Sequence, residues 1–550
     1  MRLARRAITS AAVVTAAAVV AATAVVSLVA ASGDQTASGR QSYDLLIRNA
    51  RIFDGMGNPW WRGDLAVKGD TITAMAAHID APATRVIDVG GQAVAPGFID
   101  IHTHARRGIF EVPTADNYTR QGVTTVFEGP DGGSPVPLAP FLAKLEATRL
   151  SVNFAMFIGQ GSVREAVIGN VNRKATAAEI EKMKELVRQG MLDGAFGLST
   201  GLVYTPGIYT PTEEIVELAR IAGQMGGIHQ SHMRNEAAGV LDSVRETIRI
   251  GEEGGLPTQI THHKIIGTGN WGESVETLRL VDEARARGVD ATIDQYPYTA
   301  SSTGIQVLLP PWALEGRRAE VMARLADPAR RAKIRAAIVE ALRFERGGGD
   351  PENVVISACS WDPSLPGKNL AELTKARGVD PTLENAADTA MWIVEKGGAQ
   401  GVFHAISEDD LVRILKHPVT MIASDGEVPI YGKAAPHPRS YGTVARVLGR
   451  YARDLHVLTL EDAIRRMTSL PAWRAGLQDR GILRVGMKAD ITIFDPATVR
   501  DTATFEKPHA YAEGFSHVIV NGQVIFENGA MTTARPGRVL YGPARVVVSR

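Results

Sequence analysis

The stretch Pro96-Gly97-Phe98-Ile99-Asp100-Ile101-His102-Thr103-His104 joins an apolar run to two histidines. The apolar run is typical of a buried strand. Alternate residues of a strand point the same way, so the side chains of His102 and His104 can reach one point just beyond its carboxyl end. Active sites of parallel α/β barrels lie at that end. Two histidines there are natural ligands for zinc or a similar cation, although so short a motif is also compatible with a polar turn.

Three further residues of the same chemical type strengthen the metal interpretation. They are His232 in the stretch 226–236, His262 in 259–264 and Asp425 in 421–426. Each follows a short apolar stretch, and helix-like segments lie between them. Catalytic zinc takes a few nitrogen and oxygen ligands and keeps one position open for water. The sequence therefore predicts a metal site built from histidines and Asp425.

At this point the chain resembles the amidohydrolase superfamily, specifically the N-acyl-D-amino-acid deacylase (D-aminoacylase) family. The resemblance runs from about residue 43 to about residue 545. Further stretches carry it, in the same order along the chain: 122–126, 197–201 with Tyr204, 294–298, 437–442, 489–490 and 520–522. The order and the number of matches make the resemblance specific.

The pattern of elements predicts a mixed α/β protein. Residues 43–95 read as alternating strands, and similar strands recur in 479–550, whereas strands alternate with helices over 96–478. A (β/α)₈ TIM-like barrel is the simplest closure of such repeated units. The resemblance implies that the two terminal segments form one small β-sandwich domain beside it. Residues 307–395 do not fit the repeat, which predicts an inserted subdomain.

The composition limits the partners. The chain has 550 residues, with 60 Lys and Arg against 60 Asp and Glu, so its net charge is zero. No basic excess is available to neutralise phosphates, and we therefore expect no nucleic-acid partner. The single cysteine, Cys359, excludes an internal disulfide and a cysteine-rich zinc site. The sequence does not indicate the oligomeric state.

The N-terminus predicts export. Arg2, Arg5 and Arg6 precede an uncharged segment, rich in Ala and Val, that extends to residue 32. This pattern is typical of a signal peptide. The apolar run is long for one, so an uncleaved membrane anchor is the alternative. Residues 33–42 have the composition of a linker. We expect an extracytoplasmic or secreted protein, with membrane anchoring left open.

The resemblance implies metal-dependent hydrolysis of the amide bond of N-acyl amino acids, of the D configuration, with one or two divalent cations such as zinc. Asp425 would serve both as a ligand and as the general base and acid. A carboxylate beside the metal can take the proton of the attacking water and pass it to the leaving amine. The alternatives are a related amidohydrolase acting on dipeptides or cyclic amides, and a non-catalytic exported barrel protein.

The resemblance also implies substrate-binding residues. Lys264 and Arg439 match positions where the family holds the substrate α-carboxylate, and both side chains bind carboxylates well. Tyr204 matches a family residue near the scissile carbonyl. A structural role is the alternative for each of the three.

One departure from the family concerns a metal ligand. D-aminoacylases commonly carry a cysteine ligand in a turn after the second strand, and this chain has no thiol in the corresponding stretch, 126–133. Glu128 or Asp131 could replace it. The sequence favours Glu128, because it directly follows the strand, whereas Asp131 lies in a Gly-Pro-Asp-Gly turn whose aspartate often only caps the backbone.

Overall fold

The computed structural model describes residues 42–545. The predicted leader, 1–32, and the linker up to residue 41 lie outside the described residues, as do the last five residues. Within 42–545, no helix combines the length and the apolar character that crossing a membrane requires.

The strands of the described chain are short and numerous. In chain order they are β1 (Tyr43–Ile52), β2 (Trp61–Lys68), β3 (Thr71–Ala76), β4 (Ala83–Asp88), β5 (Ala93–Pro96), β6 (Phe98–Asp100), β7 (Thr103–His104), β8 (Val123–Glu128), β9 (Asn153–Met156), β10 (Ile158–Gly159), β11 (Gly197–Gly201), β12 (Ile228–His232), β13 (Thr258–Ile260), β14 (Ala291–Gln295), β15 (Ala300–Gly304), β16 (Val354–Ala358), β17 (Gln400–His404), β18 (Thr420–Ile422), β19 (Gly426–Glu427), β20 (Ile491–Phe494), β21 (Phe515–Val520), β22 (Gln523–Glu527) and β23 (Ala530–Met531).

Helices fill most of the intervals between these strands. They are α1 (Asp116–Thr119), α2 (Ala139–Ala147), α3 (Gln160–Ile168), α4 (Ala177–Asp193), α5 (Thr212–Gln224), α6 (Val240–Gly254), α7 (Ser274–Ala286), α8 (Arg318–Ala326), α9 (Pro328–Ala341), α10 (Leu370–Ala376), α11 (Leu383–Lys396), α12 (Glu408–Lys416), α13 (Arg439–Arg446), α14 (Leu460–Arg466) and α15 (Ser469–Arg474). Two π-helical segments, Leu342–Arg346 and Val447–Asp454, extend α9 and α13.

Eight strand positions form a closed parallel ring. β6 pairs with β8 and β8 with β9, and β10, which follows β9 after one residue, begins the series β10-β11-β12-β13-β14-β18. The ring closes where β7, the continuation of β6, pairs with β19, the continuation of β18. Thr103 lies opposite Gly426 there, and His104 lies opposite Glu427. The predicted (β/α)₈ barrel is confirmed, and all its carboxyl ends meet at one mouth.

The helices outside the ring bury one face each. In α5, Ile215, Leu218, Ala219 and Ala222 are buried, a spacing of three and four residues that aligns them on one side of a helix. The helix before it, α4, begins at a capping box in which Thr176 accepts from the N–H of Glu179. Such helices cover the outer face of the strands and hold their carboxyl ends in register.

The two chain ends form one domain. Strands β1–β5 and β20–β23 share a nine-stranded sheet, in which β5 pairs with β20 in antiparallel fashion. Leu45 and Ile47 of β1 pack into one hydrophobic cluster and Leu46 into another, so both faces of this strand are covered. The predicted β-sandwich domain built from both termini is confirmed.

A buried polar network ties this domain to the barrel. The carboxylate of Asp490 accepts hydrogen bonds from Arg480 Nη1 at 2.5 Å, from the Asn521 backbone at 2.7 Å and from Asn153 Nδ2 at 3.0 Å. Asn153 belongs to barrel strand β9, whereas Asn521 follows strand β21 of the other domain. Buried hydrogen bonds to a charged group are strong and directional, so the network fixes the domain against the barrel.

The segment between β14 and β18 builds a separate layer over the barrel mouth. β15, β17 and β16 form a three-stranded antiparallel sheet, and α8–α11 accompany it. Its own hydrophobic core includes Leu308, Ile338, Met391 and Phe403. This layer supplies one wall of the cavity described next.

Candidate active site

The carboxyl ends of the barrel strands bring together the residues that the sequence nominated. His102, His104, Asp131 and Asp425 offer ligand atoms that all lie within 4.8 Å of one another, and Asp131, His232 and His262 form a second such group. Asp131 belongs to both groups. The four histidines and Asp425, separated by more than 320 residues along the chain, therefore meet at one place.

Asp131 lies between the two pairs of histidines. Its Oδ1 is 3.5 Å from both His102 Nε2 and His232 Nδ1 and 3.6 Å from His262 Nε2. Its Oδ2 is 3.3 Å from His104 Nε2. The residue has φ +55°, a left-handed backbone conformation in the turn after β8. This turn brings the carboxylate to within 3.6 Å of all four histidines, so Asp131 would help to hold a bound cation.

Glu128 does not join this cluster. Its side chain is buried, and its carboxylate accepts hydrogen bonds from the backbone N–H groups of Arg106, at 2.7 Å, and Gly129, at 2.9 Å. Both oxygens are therefore engaged in holding the loops after β7 and β8. The preference for Glu128 as the ligand is corrected here: the geometry offers Asp131 instead.

The cluster has the unsatisfied polar atoms that a cation would require. Within residues 42–545, His102 Nδ1 and Nε2, Asp131 Oδ1, His232 Nε2 and Asp425 Oδ1 are buried without a hydrogen-bond partner. Buried polar atoms of this kind are rare and destabilising unless something pairs with them. The donors are imidazole nitrogens and carboxylate oxygens, a set that suits zinc and other divalent transition-metal ions. The donor set fits one or two such ions.

Asp425 is held in its ionised form. Burial works to raise the pKa of this carboxyl group, but the Arg439 guanidinium, 2.8 Å from Oδ2, and the adjacent histidines hold the pKa well below its ordinary value. His104 Nε2 lies 3.0 Å from Oδ1. The backbone N–H of Asp425 donates to the His102 carbonyl at 2.9 Å. The carboxylate is therefore fixed at the barrel mouth in its unprotonated form.

Lys264 lies behind His262. Its ammonium donates to Glu236 Oε1 at 2.5 Å and to the His262 carbonyl at 2.9 Å, and it faces His262 Nδ1 at 2.8 Å. Burial lowers the pKa of Lys264, and the Glu236 carboxylate opposes that effect. All three ammonium hydrogens are thus directed at protein atoms. This arrangement orients His262, while contact of Lys264 with substrate stays a prediction.

Arg439 and Tyr204 both reach the open space. Arg439 lines two adjoining cavities of about 350 and 300 Å³, and Tyr204 lines the second. The Tyr204 hydroxyl is 3.0 Å from Thr303 Oγ1, and its ring lies 4.7 Å from that of His232. Burial raises the pKa of Tyr204, so its hydroxyl remains a hydrogen-bond donor.

One residue of the site was not nominated from the sequence. Tyr296 directly follows barrel strand β14, and its buried hydroxyl has no hydrogen-bond partner among the described residues. The Arg439 guanidinium lies 4.7 Å from its ring centre, and the Lys264 ammonium lies 5.7 Å from it. The Tyr296 ring therefore lies beside two cations of the site, Arg439 and Lys264. The stretch 294–298 carried the signal, but only as part of the family resemblance.

The two cavities differ in character. The larger is lined on one side by Val428, Pro429 and Ile430 and reaches Asp425. The smaller is mainly polar and reaches His104 and Asp131. They meet at a rim formed by Arg107, Ser302, Gln400, Glu427 and Arg439. The site can therefore receive a molecule with two different branches on either side of the metal ligands.

Comparison with known proteins agrees with this geometry. Residues 85–526 match the model of the amidohydrolase family. A D-aminoacylase from Alcaligenes xylosoxydans xylosoxydans is 37% identical over 523 residues, which cover 91% of this chain and 98% of that protein. The chain belongs to the amidohydrolase family, within its D-aminoacylase branch. An N-acyl-D-glutamate deacylase from Alcaligenes xylosoxydans xylosoxydans is 36% identical to this amidohydrolase. The match covers 92% of the amidohydrolase and 98% of the deacylase.

Solved structures also support membership of the D-aminoacylase branch. The crystal structure of N-acyl-D-glutamate deacylase from Bordetella bronchiseptica, complexed with zinc and a phosphonate mimic of the reaction's tetrahedral intermediate, is similar to this amidohydrolase. The TM-score is 0.79 at 34% identity, and the match covers 91% of the amidohydrolase and 100% of that chain. A crystal structure of D-aminoacylase matches with a TM-score of 0.77 at 35% identity, over 91% and 100% of the two chains.

Proposed function

We propose that this amidohydrolase hydrolyses the amide bond of N-acyl-D-amino acids with the help of one or two divalent cations, zinc first among them. The observation that carries the proposal is the convergence of four histidines and two aspartates, with unsatisfied buried donor atoms, at the mouth of the barrel. Two relatives are named as deacylases of N-acyl-D-glutamate and N-acyl-D-aspartate, and these names support N-acyl-D-amino acids as the substrate class.

The cation would be held by the two groups of donors. The residues concerned are His102, His104, Asp131, His232, His262 and Asp425. When bound there, a divalent cation supplies the Lewis acidity that polarises the amide carbonyl and makes water acidic enough to lose a proton near neutral pH. Asp131 could serve both groups, because its Oδ1 lies 3.5–3.6 Å from His102 of the first group and from His232 and His262 of the second.

Asp425 moves the proton. Its ionised carboxylate accepts a proton from the attacking water, and the same group then protonates the leaving amine, which completes hydrolysis. The Tyr204 hydroxyl, still protonated because of its burial, can donate to the carbonyl oxygen as negative charge develops on it. Arg439, which lines both cavities, is placed to hold the α-carboxylate of the substrate.

A substrate panel tests the proposal. Zinc-loaded full-length protein is incubated with N-acetyl-D- and N-acetyl-L-amino acids, dipeptides and hydantoins, and release of the free amine is measured. We expect hydrolysis of the N-acetyl-D-amino acids at rates above those of the L enantiomers. Hydrolysis of dipeptides or hydantoins alone would support the alternative substrates, and a metal-loaded protein inactive on every member would contradict the proposed function.

We also propose that the protein is exported. The arginines at positions 2, 5 and 6 and the uncharged segment that ends at residue 32 support this. Cell fractionation of the untagged protein, with N-terminal sequencing of the product, checks it. A protein found free in the cytoplasm with Met1 intact contradicts export, and an extracytoplasmic chain that keeps residues 7–32 supports anchoring over cleavage.

A further inference from the structure

The smaller cavity of the site contains a guanidinium that the proposed function does not use. Arg106 lines this cavity, together with the turn that contains Asp131. Arg106 Nη2 lies 3.8 Å from the position that a Cβ atom would take at Gly133. Gly133 is two residues from Asp131, so the Cα atoms of the two lie within about 7 Å of each other, the reach of two extended residues. A cation therefore lies on the cavity wall, a few bond lengths from the donor cluster.

The Arg106 guanidinium has no close counter-ion in the described chain. Its side chain is 34% exposed, and the carboxylate within 4 Å of it is that of Glu128, whose Oε1 lies 3.6 Å from Nε. That distance is too long for a hydrogen bond. The Glu128 oxygens instead accept from the backbone N–H groups of Arg106 and Gly129. The neighbouring Arg107, by contrast, pairs with Glu427 at 2.6 Å. Arg106 is thus available to a ligand of the cavity.

The residues that would act on the amide indicate which half of the substrate meets Arg106. Of the two cavities, the smaller is lined by Tyr204, which would donate to the carbonyl oxygen. The larger is lined by Asp425, which would protonate the leaving amine. Arg439, placed for the α-carboxylate, lies on the rim between them. The amino-acid half of the substrate therefore lies toward the larger cavity, and the acyl half enters the smaller one, beside Arg106.

The charges of the smaller cavity favour an acyl group with a negative charge. Among the acidic residues that line it, Glu427 is paired with Arg107, and Asp131 belongs to the metal donors. The third is Glu165, an exposed residue of α3, so solvent and salt screen its charge. A guanidinium binds a carboxylate through two parallel hydrogen bonds. We propose that the smaller cavity takes an acyl group that ends in a carboxylate, such as succinyl or glutaryl, and that Arg106 binds this carboxylate.

This inference rests on the proposed function and adds a class of acyl group to it. Water adds to the amide carbon, the C–N bond breaks, and the nitrogen takes a proton from Asp425, which received it from that water. The products are a dicarboxylate, such as succinate, and the free D-amino acid. The reaction therefore needs no reactant besides water.

N-succinyl-D-leucine and N-succinamoyl-D-leucine test the inference, because they differ only in having a carboxylate or a neutral amide at the end of the acyl group. Zinc-loaded full-length wild-type protein is expected to prefer the succinyl substrate by about 10-fold in kcat/KM. This is the lower end for a hydrogen-bonded charged pair, because Arg106 is partly exposed. Arg106→Met is expected to abolish the preference by slowing hydrolysis of the succinyl substrate. Arg106→Lys, which keeps the charge, is expected to retain part of it.

Arg188→Met is the control for loss of an arginine elsewhere. Arg188 lies on the surface of α4, where it is 44% exposed and lies 3.4 Å from Glu185, so its loss is expected to leave the preference unchanged. The inference is overturned if the wild-type protein hydrolyses both substrates equally well, or if a folded Arg106→Met protein keeps the preference. If Arg106→Met does not fold, the wild-type ratio and Arg106→Lys decide.

N-acetyl-D-leucine separates this inference from the function on which it rests. A protein that hydrolyses N-acetyl-D-leucine but neither of the longer substrates overturns the proposed acyl site and leaves the proposed function standing. Inactivity on all three substrates is a failure of the proposed function itself.

Discussion

Replacing Asp425 with asparagine is expected to lower kcat by about 10²- to 10⁴-fold, the usual contribution of a general acid–base group. The asparagine amide keeps the shape of the side chain but cannot take a proton from water or pass one to the leaving amine. Arg439 also loses the charge that lies 2.8 Å from it, although the four histidines and Asp131 remain. Steady-state kinetics on the best N-acetyl-D-amino acid, together with metal analysis of the same sample, measures the effect.

The matched control is Asp409→Asn, an exposed aspartate in the first turn of α12. It is expected to keep wild-type kcat and metal content. If Asp425→Asn retains near-native kcat with its metal bound, the base lies elsewhere. If it loses the metal as well as the activity, Asp425 acts mainly as a ligand.

Removing the cation is expected to abolish turnover, and Asp131→Ala is expected to reproduce much of that loss. Asp131 faces all four histidines at 3.3–3.6 Å, so its removal weakens both donor groups at once. The decrease in kcat/KM should exceed the ~10- to 100-fold that is typical when an outer-shell partner of a metal ligand is lost. Chelation followed by zinc addition, and metal stoichiometry by mass spectrometry, provide the measurements.

Glu128→Gln is the comparison that separates the two candidate carboxylates. Glu128 holds backbone N–H groups of two loops and not the donor cluster, so its variant is expected to keep the metal and to lower the melting temperature. The reverse result, with metal lost in Glu128→Gln and kept in Asp131→Ala, would restore the assignment made from the sequence. Full activity in metal-free wild-type protein would contradict a metal centre altogether.

The sequence predicted the barrel and most of the donor set because both depend on short-range patterns. His102 lies in the short bend between β6 and β7, and His104 ends β7. His232 ends β12, and His262 and Asp425 follow β13 and β18 within three residues. Residues of this kind are placed by the strand to which they are attached, and parallel strands end at a common edge.

The remainder of the site depends on features that a linear pattern does not contain. Asp131 joins the cluster because its backbone adopts a left-handed conformation, with φ +55°. Glu128, which the strand pattern favoured, instead accepts hydrogen bonds from two backbone N–H groups outside the cluster. Tyr204 contacts Thr303 of the inserted layer, 99 residues further along the chain, at 3.0 Å. Such contacts depend on tertiary packing, so the local sequence pattern does not predict them.

The pairing of β7 with β19 has a consequence for how the enzyme is made. These two short strands close the ring where His104 and Asp425 meet, and Asp100 accepts a hydrogen bond from the Ser424 backbone, 324 residues further along the chain. A growing chain therefore cannot assemble the donor cluster until residue 427 has left the ribosome, about 20 s or more after synthesis begins at common elongation rates. A chain that terminates before residue 425 lacks Asp425 and the strand that closes the ring, and therefore lacks the complete donor cluster.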